Sequence, residues 1–178
     1  MSRSLPRRML RAALLESALY EEVEAERQSL GQALVVVLLA SAAGVLGAWL
    51  AGHPQLRLAL EALEPIVFWL GASLFAYMAG ATVLRGPHTQ TDYAEVLRTT
   101  GFAFAPGLLR VLGGLPAIDL AGLHFPPTLL ADAWVVFASI VAVRQALDFS
   151  TARAIGTFGV AYLLLWLLLA GALISLPI

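Results

Sequence analysis

Residues 89–114, TQTDYAEVLRTTGFAFAPGLLRVLGG, decide how the rest of the chain is read. Asp92, Tyr93, Glu95 and Arg98 lead into Thr99, Thr100 and Gly101, and Pro106 and Gly107 then interrupt an apolar run. Proline at 106 removes one backbone hydrogen bond and frees a carbonyl about a turn earlier, near Phe102, so a helix here is expected to kink or break. If the segment lies in lipid, that carbonyl needs a partner, and the break is expected to face other helices. A hinge or a binding notch is the functional reading; a packing kink is the plain one. Arg110 sits four residues further on. An arginine deep in a span costs roughly 2.5 to 3.5 kcal/mol, so it is expected to reach outward or meet an acid. At about 1.5 Å per residue, Arg110 lies some 18 Å beyond Arg98, and Asp132 about 8 Å below the far boundary if a later span begins at Pro127. The two depths nearly coincide, which predicts an Arg110–Asp132 ion pair locking the third span to the fourth. The competing reading is a proton or substrate relay, for which one pair without further acids or histidines is thin support.

Outward from this segment the chain is apolar. Of 178 residues 60% are hydrophobic and 13% charged, against roughly 25% charged in soluble domains. Residues 33–52, 65–84 and 154–176 each supply a charge-free apolar run of the roughly 20 residues that a hydrocarbon core requires. Residues 96–115 and 127–143 are weaker spans, carrying Arg98, Arg110 and Pro106 in one and Asp132 in the other. They are counted because Phe102, Phe104, Val135, Val136 and Phe137 would otherwise be left in water. Three spans with two re-entrant or interfacial segments is the alternative.

Arginine placement orients the five. Nine arginines (3, 7, 8, 11, 27, 85, 98, 144 and 153) fall on one side and Arg57 alone on the other, so the positive-inside rule predicts N-in and C-out. Residues 1–30 are expected to form a cytoplasmic amphipathic helix ahead of a transmembrane domain at 31–178. Leu15, Leu19 and Val23, with Met9 and Ala12, make its apolar face; Glu16, Glu21, Glu22, Glu24 and Glu26 crowd the other. It either lies in the membrane interface or packs as a solvated helix on the cytoplasmic turns, its acids facing solvent or a partner. Arg-rich residues 3–11 run into this acidic segment rather than an apolar core, so no cleavable signal is expected.

Several chemistries are excluded. There is no cysteine, and all 11 basic residues are arginine, which removes thiolate metal sites, disulfides and lysine-based catalysis. His53, His88 and His124 are scattered, and no serine-hydrolase or phosphate-loop motif occurs. A net charge of −1 offers no footprint for nucleic acid. No cofactor, metal or catalytic residue is expected. Gly44 with Ala48, Gly47 with Ala51, and Ala76 with Gly80 are spaced four apart, forming flat stripes for close helix packing, inside the bundle or against a partner subunit.

The third span opened by Tyr93, Glu95, Val96, Leu97, Arg98 and Thr100, its Gly101-Phe102-Ala103 step and its Pro106, together with the Trp134 span, Arg144 and the Arg153-Ala154 turn, resemble the bacterial branch of the Yip-one (Ypt-interacting) domain family. The resemblance implies five spans, no catalytic site, and an architectural role for Tyr93, Gly101 and Pro106 as an interrupted-helix motif. The expected fold is thus an all-α integral membrane bundle of five transmembrane helices behind an amphipathic N-terminal helix, in a bacterial inner membrane. The expected function is a non-catalytic scaffold or accessory protein binding lipid or other membrane proteins, as a homo-oligomer or in a hetero-complex. The alternatives are a transporter or channel component with its pathway at the broken third span, and an accessory subunit of a respiratory or photosynthetic complex.

Overall fold

The computed structural model describes residues 4–80, 92–120 and 122–175. Within them the chain is helical except for one hairpin, Ile118–Leu120 (β1) against Leu123–Phe125 (β2), antiparallel and turned through Gly122 at φ 80°. The helices are α1 (Leu5–Ala13), α2 (Ser17–Ala25), α3 (Ser29–Leu50), α4 (Gln55–Met78), α5 (Tyr93–Phe102), a 3-10 helix (Ala105–Gly114), α6 (Thr128–Ala146) and α7 (Thr151–Ser175). Three of them, α3, α4 and α6, are long and apolar enough to cross a membrane. Arg3, Arg85, His88 and the ends of the expected spans at 81–84 and 176 lie outside the described residues.

The expected single helix at the N-terminus is two helices folded back on each other. Leu15, with φ 60°, sits at the turn. The reason is electrostatic: Arg8 and Glu22 are 14 residues apart, about 21 Å along a continuous helix, yet their side chains meet at 2.7 Å. Arg11 likewise meets Glu22 at 2.8 Å. The apolar face is the one the four-residue spacing indicates. Met9, Ala12, Leu19, Tyr20 and Val23 are buried in one cluster with Ala33, Val36, Val37 and Ala40 of α3 and Ala138 of α6. The N-terminal segment therefore shares the bundle's core. Its acids are not a free face, because Glu16, Glu22 and Glu26 all hold Arg8 or Arg11. Trp134 of α6 donates its indole N–H to the Ala13 carbonyl at the hairpin tip, while Leu10 and Leu14 are each 61% exposed. An apolar tip bonded into the side of α6 is a geometry that suits lipid better than water.

The second long helix begins at Gln55, ten residues before the expected start at Pro65, and runs through that proline. Pro54 ends the preceding turn, and Arg57 pairs with Glu61 at i,i+4 across 2.8 Å, so the polar lead-in is itself helical. The third segment breaks as the proline requires. α5 is capped at its start by Asp92 and Glu95, each side chain accepting the other's backbone N–H. It stops at Phe102, and Pro106 enters the first turn of the 3-10 helix. Ten α-helical residues rise about 15 Å and ten 3-10 residues about 20 Å, so the broken segment covers the bundle's height although neither half does alone.

α7 packs against α4 and α6. Ala154, Phe158, Ala161 and Leu165 form its buried stripe, while Ile155, Leu163, Leu167 and Leu168 are exposed. A continuous apolar exterior of this kind is what lipid covers. Polar contacts gather at one pole. Arg98 in the middle of α5 donates twice to the Glu24 carbonyl at the end of α2, where it also opposes the helix dipole. Arg144 and Gln145 at the end of α6 bond Ser17 and Glu21.

Candidate functional site: the cavity beside the broken helix

The end of α5 and the 3-10 helix both lie against α3 with almost no side chain between them. At Gly101 a Cβ would stand 2.6 Å from the Ala33 Cβ and 3.1 Å from Trp69 Nε1, and at Gly47 it would strike the Arg110 carbonyl. Gly44 faces Glu61 Oε2 and the Arg110 stem. The small stripe on α3 is thus the seat of the Arg110 segment, and Ala48 is buried beside it. On α4, Ala76 is buried and Gly80 receives Leu147 of the α6–α7 turn. The glycines of these stripes are filled from within the chain, while Ala51 stays exposed.

Seated there, Arg110 points among acids from two other helices. Its Nε and Nη2 both lie 2.8 Å from Asp132 Oδ1. Nη1 is 3.4 Å from Glu64 Oε2 and 3.9 Å from Glu61 Oε2. Glu61 spends its other oxygen on Arg57. The arginine side chain is 12% exposed, whereas Asp132 and Glu64 are each 43% exposed. Depth counting from the sequence brings Arg110 and Asp132 together; it omits Glu61 and Glu64, because a span starting at Pro65 leaves both in a loop. The 57, 61, 64 spacing was the available signal, since three positions at i, i+4 and i+7 share a helix face.

Inward from this cluster is a cavity of about 320 Å³ between α4, the broken segment, α6 and α7. Glu64, Arg110 and Asp132 stand at one end; Phe68, Trp69, Phe104, Val136, Phe158 and Tyr162 form apolar walls; Ser73, Thr100 and Ser139 add hydroxyls. Two prolines border it. Pro65 lies buried inside α4, where its missing N–H leaves the Glu61 carbonyl without its helical donor, and Pro106 opens the 3-10 turn. The break itself is held by side chains: Trp69 Nε1 donates to the Leu97 carbonyl at 3.0 Å, Ser73 and Thr100 share a hydrogen bond at 2.8 Å, and Thr100 Oγ1 also reaches the Val96 carbonyl at 2.6 Å. Tyr93 fixes the start of α5 by donating to the Leu70 carbonyl at 2.9 Å, its ring 6.0 Å from that of Tyr77.

The opposite pole uses the same chemistry differently. Arg8 makes five hydrogen bonds, to Glu22, Glu26, Ser29 and Gln32. Hydrogen bonds from Arg11 and Arg8 hold the Glu22 carboxyl below its ordinary value. Glu24 goes the other way, pushed up to about 7 by burial and then by the neighbouring acids Glu95 and Asp148. Sequence reasoning missed Arg8 and Arg98 as buried cations, since residue type alone does not reveal which arginines the fold covers. Elsewhere, His124 lies 3.9 Å from Asp119 on the exposed hairpin, and among the described residues no three metal-type side chains converge.

Chemically, the site can accommodate a small solute against aromatic walls with carboxylates at one end. No protein-family profile matches the chain, and no curated protein or solved structure is significantly similar to it.

Proposed function

We propose that the protein crosses a bacterial cytoplasmic membrane five times with its N-terminus inside, and that it binds or passes a small solute through the cavity beside the broken third span. The observation that carries this reading is the cavity itself, where hydroxyls from three helices and the Arg110 cluster converge at a helix break. Discontinuous helices at membrane depth are tolerated where they line a cavity, and such breaks serve binding sites in transport proteins. The nine-to-one arginine split supports the orientation, which puts the Arg110 end of the cavity outside. A partner-binding scaffold would rest on the small-residue stripes and the acidic helix; Gly44, Gly47 and Gly80 meet the chain's own atoms, whereas Ala51, Glu16 and Glu21 stay exposed. The Yip-like pattern supports the five-span architecture only, through the packing places of Tyr93, Gly101 and Pro106.

The native absence of cysteine makes the test clean. Single cysteines at Ser139 in the cavity, at Leu163 on the exposed face of α7, and at Gln28 and Gln55 near the two poles are treated in intact cells with a neutral, water-soluble, membrane-impermeant thiol reagent. Ser139→Cys and Gln55→Cys should react from outside, while Leu163→Cys and Gln28→Cys should not. An inert Ser139→Cys alongside a reactive Gln55→Cys would refute the pathway; reaction at Gln28→Cys would refute the orientation.

A further inference from the structure

We infer that the cavity takes an organic monocation with a compact apolar body, its charged head between Asp132 and Glu64 and its body against the aromatic walls. The inference rests on the cavity reading above and adds the chemical class of the occupant.

Charge decides the head group. The cavity lining holds one cation, Arg110, and two carboxylates, Glu64 and Asp132. Glu61 stands just behind, 3.9 Å from the guanidinium. Arg110 is therefore surrounded by negative charge and offers little to an anion, which would meet exposed carboxylates on entering. The acids are the opposite case. Both bonds from Arg110 to Asp132 fall on Oδ1, and among the described residues no hydrogen bond engages Oδ2. Glu64 meets Arg110 only at 3.4 Å and keeps 43% of its side chain exposed. Two partly solvated carboxylates beside an apolar chamber leave a net negative end with acceptor capacity to spare. At the dielectric of a protein edge such charges attract a cation within contact distance far more strongly than they would in bulk water.

The walls decide the body. Phe68, Trp69, Phe104, Phe158 and Tyr162 supply ring surface, with Phe68 and Phe158 both close to Tyr162 at 5.2 and 5.9 Å. The Trp69 N–H is already donated to Leu97, and Ser73 and Thr100 are bonded to each other. Beside the Ser139 hydroxyl, what remains on offer is mostly π-face and hydrocarbon, the surface that holds weakly hydrated cations through cation–π attraction. A volume of about 320 Å³ is at the lower end of small-molecule sites, roughly 300 to 1,000 Å³, which limits the body to about the bulk of a single substituted ring. A neutral body of the same size would desolvate the carboxylates without pairing them.

The test uses the full chain in lipid nanodiscs, titrated calorimetrically with benzyltrimethylammonium, its uncharged carbon isostere neopentylbenzene, and benzenesulfonate. The cation should bind, the isostere should bind at least about tenfold more weakly, and the sulfonate should not bind. Glu64→Gln, which removes one charge without touching the 2.8 Å pair, should weaken the cation about tenfold and leave the isostere unchanged. Equal binding of cation and isostere, a preference for the sulfonate, or no binding of any probe to a chain whose Ser139→Cys is reactive each overturns the cation assignment and leaves the cavity reading standing. No binding together with an inert Ser139→Cys overturns both.

Discussion

Two arginines organise the two ends of this bundle, and they do so in opposite ways. Arg8, with 3% of its side chain exposed, has a hydrogen bond for each of its donors and sits where α1, α2 and α3 meet. Arg110 contacts one carboxylate closely and two loosely, and one side of its cluster opens on a cavity. A saturated guanidinium is a lock, whereas one outnumbered by half-exposed acids leaves charge available to a visitor. The residue types are the same; the difference lies in how much water and how many partners the fold leaves at each end.

Removing each arginine should break the symmetry most visibly. Arg8→Met takes the guanidinium from Glu26, 19% exposed, leaves Glu22 to Arg11 alone and removes a donor from Ser29 and from Gln32, and should cost about 3 to 5 kcal/mol in thermal unfolding in detergent. Arg110→Met leaves acids that water can still reach, so its cost should stay below about 2 kcal/mol. Equal losses would mean that the two clusters do the same job. Next in size, Gly47→Ala drives a methyl group into the Arg110 backbone and should destabilise by about 1 to 3 kcal/mol, while Gly31→Ala on the same helix, with open space around it, should not destabilise at all.

pH separates the poles as well. The Glu24 carboxyl is raised to about 7 from 4.5, so between those values the folded chain holds a proton that the unfolded chain has released. Stability should therefore fall as pH rises from about 4.5 to 7 and level off above, by about 1 to 3 kcal/mol in all. Glu22, lowered by its arginines, works in reverse: its contribution is present above its unfolded value and is lost as pH falls through its depressed one. Glu24→Gln should remove the first slope and keep the second, as read by unfolding at a series of pH values. The smallest effect expected is at Asp148, exposed and left-handed at φ 52°. Asp148→Gly suits that backbone and removes one of the charges raising Glu24, so it should stabilise by no more than about 1 kcal/mol.

Much of this architecture was legible because lipid makes strict demands on sequence. Charge-free runs, the break before Pro106 and the common depth of Arg110 and Asp132 all follow from residue counting. What counting missed shares one cause. Periodicity reports the axis of a helix and not where the chain folds back, so the Leu15 reversal and the Arg8–Glu22 closure were hidden in a run that reads as one helix. The helical start at Gln55 was hidden likewise, because polar residues ahead of Pro65 look like loop until Glu61 and Glu64 are seen to share a partner. The cavity depends on tertiary packing of four segments, and no local pattern announces it.

The most direct test of the lock-and-mouth distinction is the reactivity of Ser139→Cys toward a cationic and an anionic methanethiosulfonate of similar size, in the native, Arg8→Met and Arg110→Met backgrounds. The cationic reagent should react about tenfold faster than the anionic one in the native chain. That ratio should rise further in Arg110→Met and stay unchanged in folded Arg8→Met. A ratio near one, or a ratio that responds to Arg8 and not to Arg110, would contradict the account.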